Sequence, residues 1–228
     1  MTFCIIIPVY NSPHIRDVVE DVLKYGHQII VVDDGSSVRV SLDNLDVVLI
    51  THKNNMGKGK AILSGALRAK EMGYDGFVTM DADKQHLSSQ IQKLICCYEP
   101  QTIVIGNRDF SGEHIPASSK FGRKFSNFWV MLETWMKLGD TQSGFRMYPI
   151  SVADLSFTTQ RFDFEIEILV LHVYQGGKIC DTDVECYYPP KSERISHFDK
   201  LDDNVRISLL HIKLLIQRYL FLRGWLWK

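Results

Sequence analysis

Two acidic pairs close two apolar runs: Asp33-Asp34 after His27–Val32 (HQIIVV), and Asp81-Ala82-Asp83 after Gly76–Met80 (GFVTM). Each run reads as a buried β-strand that delivers carboxylates to the C-terminal edge of a sheet, where open α/β sheets bind ligands. In extended chain, residues two apart point the same way, so Asp81 and Asp83 can face one ligand. Buried carboxylates need partners, and Mg²⁺ or Mn²⁺ holding the phosphates of a nucleotide diphosphate is a partner of matching hardness. Gln85 and His86 follow at once and can extend the coordination shell. The alternative here is a polar turn capping the next helix; a bare D-x-D recurs by chance, and its place after a buried strand raises its weight. Asp33-Asp34-Gly35-Ser36-Ser37 can accept hydrogen bonds from a base or ribose, or form an Asx-type turn with glycine at positive φ.

Three further segments carry polar chemistry. Asn54–Ala61 (NNMGKGKA) brings Lys58 and Lys60 between glycines to the start of a helix, a setting that attracts anions. It has neither the G-x-x-x-x-G-K-[ST] nor the G-x-G-x-x-G spacing. Asp140–Arg146 (DTQSGFR) sets a carboxylate and a guanidinium around a glycine turn. Asp140 can serve as general base and Arg146 can bind a phosphate or Asp140 itself, although spacing alone favours a structural ion pair. Arg161–Glu167 (RFDFEIE) opens a helix, where acidic residues ordinarily complement the dipole.

The elements that must position these groups alternate in the first half. Strands are expected at Phe3–Val9, Gln28–Val32, Val47–Ile50, Gly76–Met80 and Thr102–Ile105, and helices at Pro13–Tyr25, Lys58–Met72 and Leu87–Tyr98. Such alternation predicts βαβ units, hence an α/β chain with a Rossmann-like, mainly parallel sheet flanked by helices. Beyond Arg108 the pattern loosens. His114–Lys124 reads as a loop, Phe125–Leu138 as an aromatic-rich helix, Arg161–Gly177 as a helix, and Lys178–Tyr187 as a strand.

With 228 residues and 45% hydrophobic content, the chain suits one large domain with a full core. Its net charge of -1 offers no general attraction to nucleic acid. The apolar N-terminus lacks a basic leader and reads as a first strand. Five cysteines without C-x-x-C spacing indicate neither a disulfide framework nor a zinc site, as expected of a cytoplasmic protein. The ending, Asp203–Lys228, is helical in propensity and apolar, but Arg206, Lys213, Arg218 and Arg223 interrupt it. A span needs ~20 predominantly apolar residues, so no transmembrane helix is expected. Two readings stay open for this amphipathic segment, 199–228. Trp225, Trp227 and the basic residues favour a helix in the membrane interface; the other is a final helix packed on the domain or in a dimer contact.

Seven motifs, taken in order, resemble a family-two glycosyltransferase of the GT-A fold. They are IIIPVYN at Ile5–Asn11, VVDDGS at Val31–Ser36, N-x-G-K-G-K-A at Asn55–Ala61 (with Gly57 third), DADKQH at Asp81–His86, GNR at Gly106–Arg108, DTQSGFR at Asp140–Arg146, and FDFEIE at Phe162–Glu167. Order and spacing are most similar to the dolichyl- and polyprenyl-phosphate sugar synthase branch. The resemblance implies a GT-A domain over 1–198, with a nucleotide-sugar half at 1–107 and an acceptor half at 108–198. It implies inverting transfer by one in-line displacement from a nucleotide-diphosphate sugar, with Mg²⁺ or Mn²⁺, to a polyprenyl phosphate or another lipid or glycan. The nucleotide-sugar contacts would include Pro8, Tyr10, Asn11, Asp33, Asp34, Lys58, Asp81, Ala82, Arg108, Arg123 and Arg146. The metal ligands would be Asp81 and Asp83 with Gln85. Asp140 would be the base, and Glu165 the reserve candidate. Lys84 stands where the family has Gly or Leu, and Asn107 where it has Ser.

A sugar-phosphate nucleotidyltransferase would need a Gly-rich loop after the first strand. PVYNSPHIRD has none, which argues against it. A non-catalytic nucleotide-sugar-binding module would tend to lose Asp83 or Asp140, and both are present.

Overall fold

The computed structural model describes residues 1–109, 117–188 and 202–219. Seven strands form one sheet: β1 (Phe3–Val9), β2 (Gln28–Asp33), β3 (Val47–Thr51), β4 (Gly76–Thr79), β5 (Thr102–Arg108), β6 (Arg146–Pro149) and β7 (Lys178–Val184). Their order is β3-β2-β1-β4-β6-β5-β7. All neighbours run parallel except β6, which is antiparallel to both β4 and β5. The β1, β2 and β4 runs are apolar without alternation because both faces of the sheet are covered. On one face lie α1 (Ile15–Leu23) and α3 (Ile91–Cys96), whose Val18, Val19, Val22, Ile91 and Leu94 pack on Ile5, Ile7 and Val31. On the other, α2 (Lys58–Glu71) and α5 (Phe164–Tyr174) set Ala61, Ala66, Phe164 and Ile168 against Ile6, Ile30 and Phe77.

Strand order reverses about β1, which opens a crevice at the strands' C-terminal ends. β1 pairs with β4 only from Phe3 to Ile6, whereas its pairing with β2 continues to Val9. Beyond Ile6 the β4 side of β1 is therefore open. The missing N–H of Pro8 falls in this stretch, so it costs the β1–β4 ladder no bond.

The first half follows the expected pattern closely, with strands and helices beginning and ending within a few residues of their sequence bounds. The second half differs in three places. β6 lay inside a segment read only as a turn motif; four residues from an arginine to a proline carry no visible alternation. Helix α4 spans Ala117–Thr134 and so absorbs most of the expected loop at His114–Lys124. The spacing of Phe121, Phe125 and Phe128 continues one helical face through Gly122, and Trp135, at φ 62°, ends the helix. Strand β7 stops at Val184, and β5 runs on to Arg108 because Gly106–Arg108 pair with Thr182–Val184.

The last helix, α6 (Asp202–Tyr219), packs on the domain. Ile207, Leu210 and Leu214 are buried, His211 Nδ1 lies 2.9 Å from Glu133 Oε1 on α4, and the Tyr174 hydroxyl donates to the Leu214 carbonyl. Its outer face leaves Val205, Leu209, Ile212 and Ile216 exposed. Trp225 and Trp227 lie outside the described residues. Among those described, no helix is long and apolar enough to cross a membrane.

Candidate active site

The loop after β4 is held from several directions. Thr79 Oγ1 donates to the Gly144 carbonyl at 2.8 Å, and the Ser12 hydroxyl donates to the Ala82 carbonyl. The Asp81 N–H donates to His86 Nδ1 at 3.1 Å. Burial pushes the His86 imidazole down to about 4, so the ring is neutral and Nδ1 can accept. The ring stacks on Phe145 at 5.0 Å and 14°. The Gln85 N–H donates to Asp83 Oδ1 at 3.0 Å, closing an Asx-type turn through Lys84 at φ 65°. Lys84 forms an ion pair with Asp17 on α1, and both side chains line a cavity with His86, Arg108 and Arg123.

Lys58, first residue of α2, reaches into this loop. Its Nζ lies 2.7 Å from Asp81 Oδ1 and 2.9 Å from Glu165 Oε1, with the Phe162 ring 5.9 Å away. Two glycines make that approach possible. Gly57, at φ 96°, lies so close to the Gln160 carbonyl that a Cβ would meet its oxygen at 2.4 Å. A Cβ on Gly144 would stand 2.7 Å from Lys58 Nζ and 2.8 Å from Asp81 Oδ2. Burial alone would raise the Asp81 carboxyl, but the Lys58 ammonium outweighs it and holds the group at about 2. Burial lowers Lys58 as well, and Asp81 and Glu165 reverse this, leaving it above the usual lysine range. Asp83 goes the other way: burial first, then the charge of Asp81, push it up to about 6.

On the facing side, Asp140 is fully buried and bound bidentately by Arg108, Nε to Oδ2 at 2.6 Å and Nη2 to Oδ1 at 3.1 Å. Arg123 Nη1 donates to the Arg108 carbonyl at 3.2 Å. Asn107 is turned aside, donating to Asp183 at 2.7 Å.

Arg146 corrects the sequence reading. It was expected to bind a phosphate or Asp140, but its guanidinium is fully buried and donates to the carbonyls of Ser143, Thr141 and Glu165 and to the Tyr148 hydroxyl. Its side chain is spent tying the SGFR turn to α5.

Asp34 is likewise taken by the protein. It accepts from the Met56 N–H at 2.9 Å and the Gly57 N–H at 2.8 Å, and its Oδ1 lies 2.7 Å from His52 Nδ1. It therefore fastens the end of β2 to the N-terminus of α2. Asp33 is also buried, with Oδ1 accepting the Ser36 N–H at 2.9 Å. Asn11, at φ 51°, accepts from the Ser37 N–H and hydroxyl, both at 2.8 Å. Pro8 is buried and Tyr10 half-buried at the end of β1.

The structure thus joins Lys58 to Asp81 and Glu165 and Arg108 to Asp140, with Arg108 lining a cavity beside His86 and Arg123. Sequence spacing missed the Lys58–Glu165 link, since Glu165 read as helix decoration. Among the described residues, no group of three or more His, Cys, Asp or Glu side chains is placed to hold a metal. Asp81 and Asp83 nevertheless suit a hard divalent cation. Asp83 is destabilised as an anion by its neighbour, Gly144 leaves room beside Asp81, and Mg²⁺ or Mn²⁺ takes one or two carboxylates with substrate phosphates and waters.

Known proteins resemble this chain in sequence and in fold. A protein 28% identical to the chain is the UDP-N-acetylglucosamine–dolichyl-phosphate N-acetylglucosaminyltransferase of Methanococcus voltae, matched over 73% of this chain and 78% of that protein. The undecaprenyl-phosphate mannosyltransferase of Micrococcus luteus is 26% identical, over 78% of this chain and 81% of its own length. Among solved structures, glucosyl-3-phosphoglycerate synthase from Mycobacterium tuberculosis, in complex with Mn²⁺, UDP and glucosyl-3-phosphoglycerate, superposes with a TM-score of 0.69. That match is 14% identical and covers 95% of this chain and 79% of the synthase, a likeness of fold. The Glycosyl transferase family 2 profile matches residues 4–168. The chain belongs to glycosyl transferase family 2: it is a glycosyltransferase with the GT-A fold.

Proposed function

We propose that this enzyme transfers a sugar, with inversion, from a nucleotide-diphosphate sugar to a polyprenyl phosphate. The observation that carries this reading is the bidentate lock between Arg108 and the fully buried Asp140. Both Asp140 oxygens are engaged by Arg108 and the side chain is fully buried, so it is not placed to take a proton from a neutral acceptor hydroxyl. An acceptor phosphate arrives already anionic and needs no base. The two polyprenyl-phosphate relatives support the same acceptor class.

In this reading the donor lies across the end of β1, with its nucleoside beside Pro8, Tyr10, Asn11 and Asp33 and its diphosphate toward Asp81, Ala82 and Lys58. Asp81 and Asp83, with Gln85 alongside, would hold Mg²⁺ or Mn²⁺, which supplies charge neutralisation for the leaving diphosphate. Arg108, oriented by Asp140 and flanked by Arg123, receives phosphate charge. Glu165 anchors Lys58. An acceptor phosphate oxygen forms its bond to the anomeric carbon as the bond to the diphosphate breaks, and the diphosphate leaves with the electron pair.

The test is to supply labelled UDP-, GDP- and dTDP-sugars with Mg²⁺ or Mn²⁺ and a polyprenyl phosphate. Label should move into the lipid fraction, and EDTA should abolish it. Asp140→Asn should slow transfer yet leave the shape of its pH profile unchanged, because no proton is taken there. Loss of an acidic limb in that variant, or transfer only to neutral hydroxyls, overturns the phosphate-acceptor reading.

We also propose peripheral contact with the cytoplasmic face of a membrane. The outward Val205, Leu209, Ile212 and Ile216 of α6, and Phe121, Phe125 and Phe128 on the adjoining α4, support it. Deleting α6 would strip the cover from Glu133, so a surface change is the cleaner probe. Leu209→Ser, Ile212→Ser and Ile216→Ser combined should lower sedimentation with anionic vesicles about tenfold while leaving the melting temperature nearly unchanged. Unchanged vesicle binding removes the membrane reading.

A further inference from the structure

We propose that Lys58 is a built-in counter-ion of the donor site, whose ammonium occupies Asp81 and Glu165 before the donor arrives and makes tight divalent-metal binding conditional on the nucleotide diphosphate. This rests on the donor-site reading above and concerns how the site is loaded.

The geometry is specific. Lys58 Nζ is 2.7 Å from Asp81 Oδ1 and 2.9 Å from Glu165 Oε1, and the side chains of Lys58 and Asp81 are only 16% and 27% exposed. The ammonium therefore lies against the carboxylate oxygen a divalent cation would need. A compact ammonium on a flexible four-carbon stem can hold this place and still move. Its movement is bounded on one side by Glu165, its second anchor, and on the other by Gly144, whose missing Cβ keeps space beside both Nζ and Asp81. Lys58 thus answers two carboxylates, Asp81 and Glu165, while Arg108 answers Asp140.

The consequence follows from competition. A metal ion arriving alone must take Asp81 from Lys58 and then sit beside an ammonium of like charge, which costs heavily in a partly dry site. A diphosphate arriving with the metal would give Lys58 a new anionic partner and would offset the metal's charge. Metal and nucleotide should therefore tighten each other by the same factor.

The measurement is Mn²⁺ binding, read from the paramagnetic resonance signal of the free ion, for the full chain without and with UDP or GDP. Wild type should bind Mn²⁺ weakly alone and at least about tenfold more tightly with the nucleotide that protects it thermally. Lys58→Met should bind Mn²⁺ alone about tenfold more tightly than wild type and lose most of the nucleotide dependence. Lys58→Arg, which keeps the charge, should behave like wild type. The proposal is overturned when Lys58→Met binds Mn²⁺ alone no better than wild type. Equal wild-type affinity with and without nucleotide overturns it too, and decides the matter even where circular dichroism shows Lys58→Met unfolded. Absence of Mn²⁺ binding under every condition instead removes the donor-site reading itself, and this inference with it.

Discussion

The two acidic strand ends look alike in sequence and behave as opposites in the fold. Asp34, after β2, accepts two backbone N–H groups and lies 2.7 Å from His52 Nδ1. Asp81 and Asp83, after β4, share one loop. Asp81 is held by the Lys58 ammonium, while Asp83 is pushed up to about 6 by burial and by its neighbour. The two ends therefore differ in what satisfies them. Fixed backbone donors close Asp34 off. Asp81 is satisfied by the side-chain ammonium of Lys58, and Asp83 by the single Gln85 N–H, which leaves its second oxygen for a ligand.

The contrast can be broken in three ways, from largest effect to smallest. Asp81→Asn should lower transfer by about a thousandfold or more, the cost of losing one charge-stabilising group at a phosphate-handling centre. Removing the Lys58 partner should also cost about 1–2 kcal/mol of stability, a loss limited because Lys58 keeps Glu165, and an active Asp81→Asn enzyme would end the claim that this pair serves the reaction. Asp34→Ala should act on stability alone. Losing an acceptor shared by several buried donors costs about 3 kcal/mol, a fall of roughly 6–12 °C in a chain of this size. Thermal unfolding checks this, and activity below the transition should stay near wild type; a catalytic loss without destabilisation would merge the two pairs again.

The smallest effect is a pH dependence at Asp83. Its folded value of about 6 lies above its ordinary 3.8, so the folded state binds the extra proton. The group therefore favours folding at low pH and progressively less as pH rises through this window, reaching a constant penalty above about 6. Asp83→Asn, which cannot ionise, should gain about 1–2 kcal/mol over wild type at pH 7 and nothing at pH 3.5, by denaturant titration. A gain that is flat with pH would place the Asp83 charge in a well-satisfied setting, like that of Asp34.

Legibility also differed between the halves. Phe3–Val9, Gln28–Asp33 and Gly76–Thr79 announce themselves because strands buried on both faces must be continuously apolar. Strand β6 did not, since Arg146 and Pro149 bound it and its pairing partners lie far away in sequence. The start of α4 was hidden by serines and Gly122, whose weak helix propensity is overridden by packing against α5 and α6. At the site, Asp81, Asp83, Lys58, Arg108, Asp140 and Glu165 were all visible as chemistry-bearing residues, but their partners were not.

Residue type and spacing alone determined the α/β class, the strand ends that carry acid, and the seven ordered motifs. These are local properties, written in apolar continuity and short-range order. Only the tertiary structure decided that Arg146 is buried scaffold while Arg108 takes Asp140, and that Lys58 joins Asp81 to Glu165. It also separated Asp34 from Asp81. Each of those outcomes is a choice among partners distant in the chain, and such choices follow from which groups the packed sheet and helices leave within hydrogen-bonding reach.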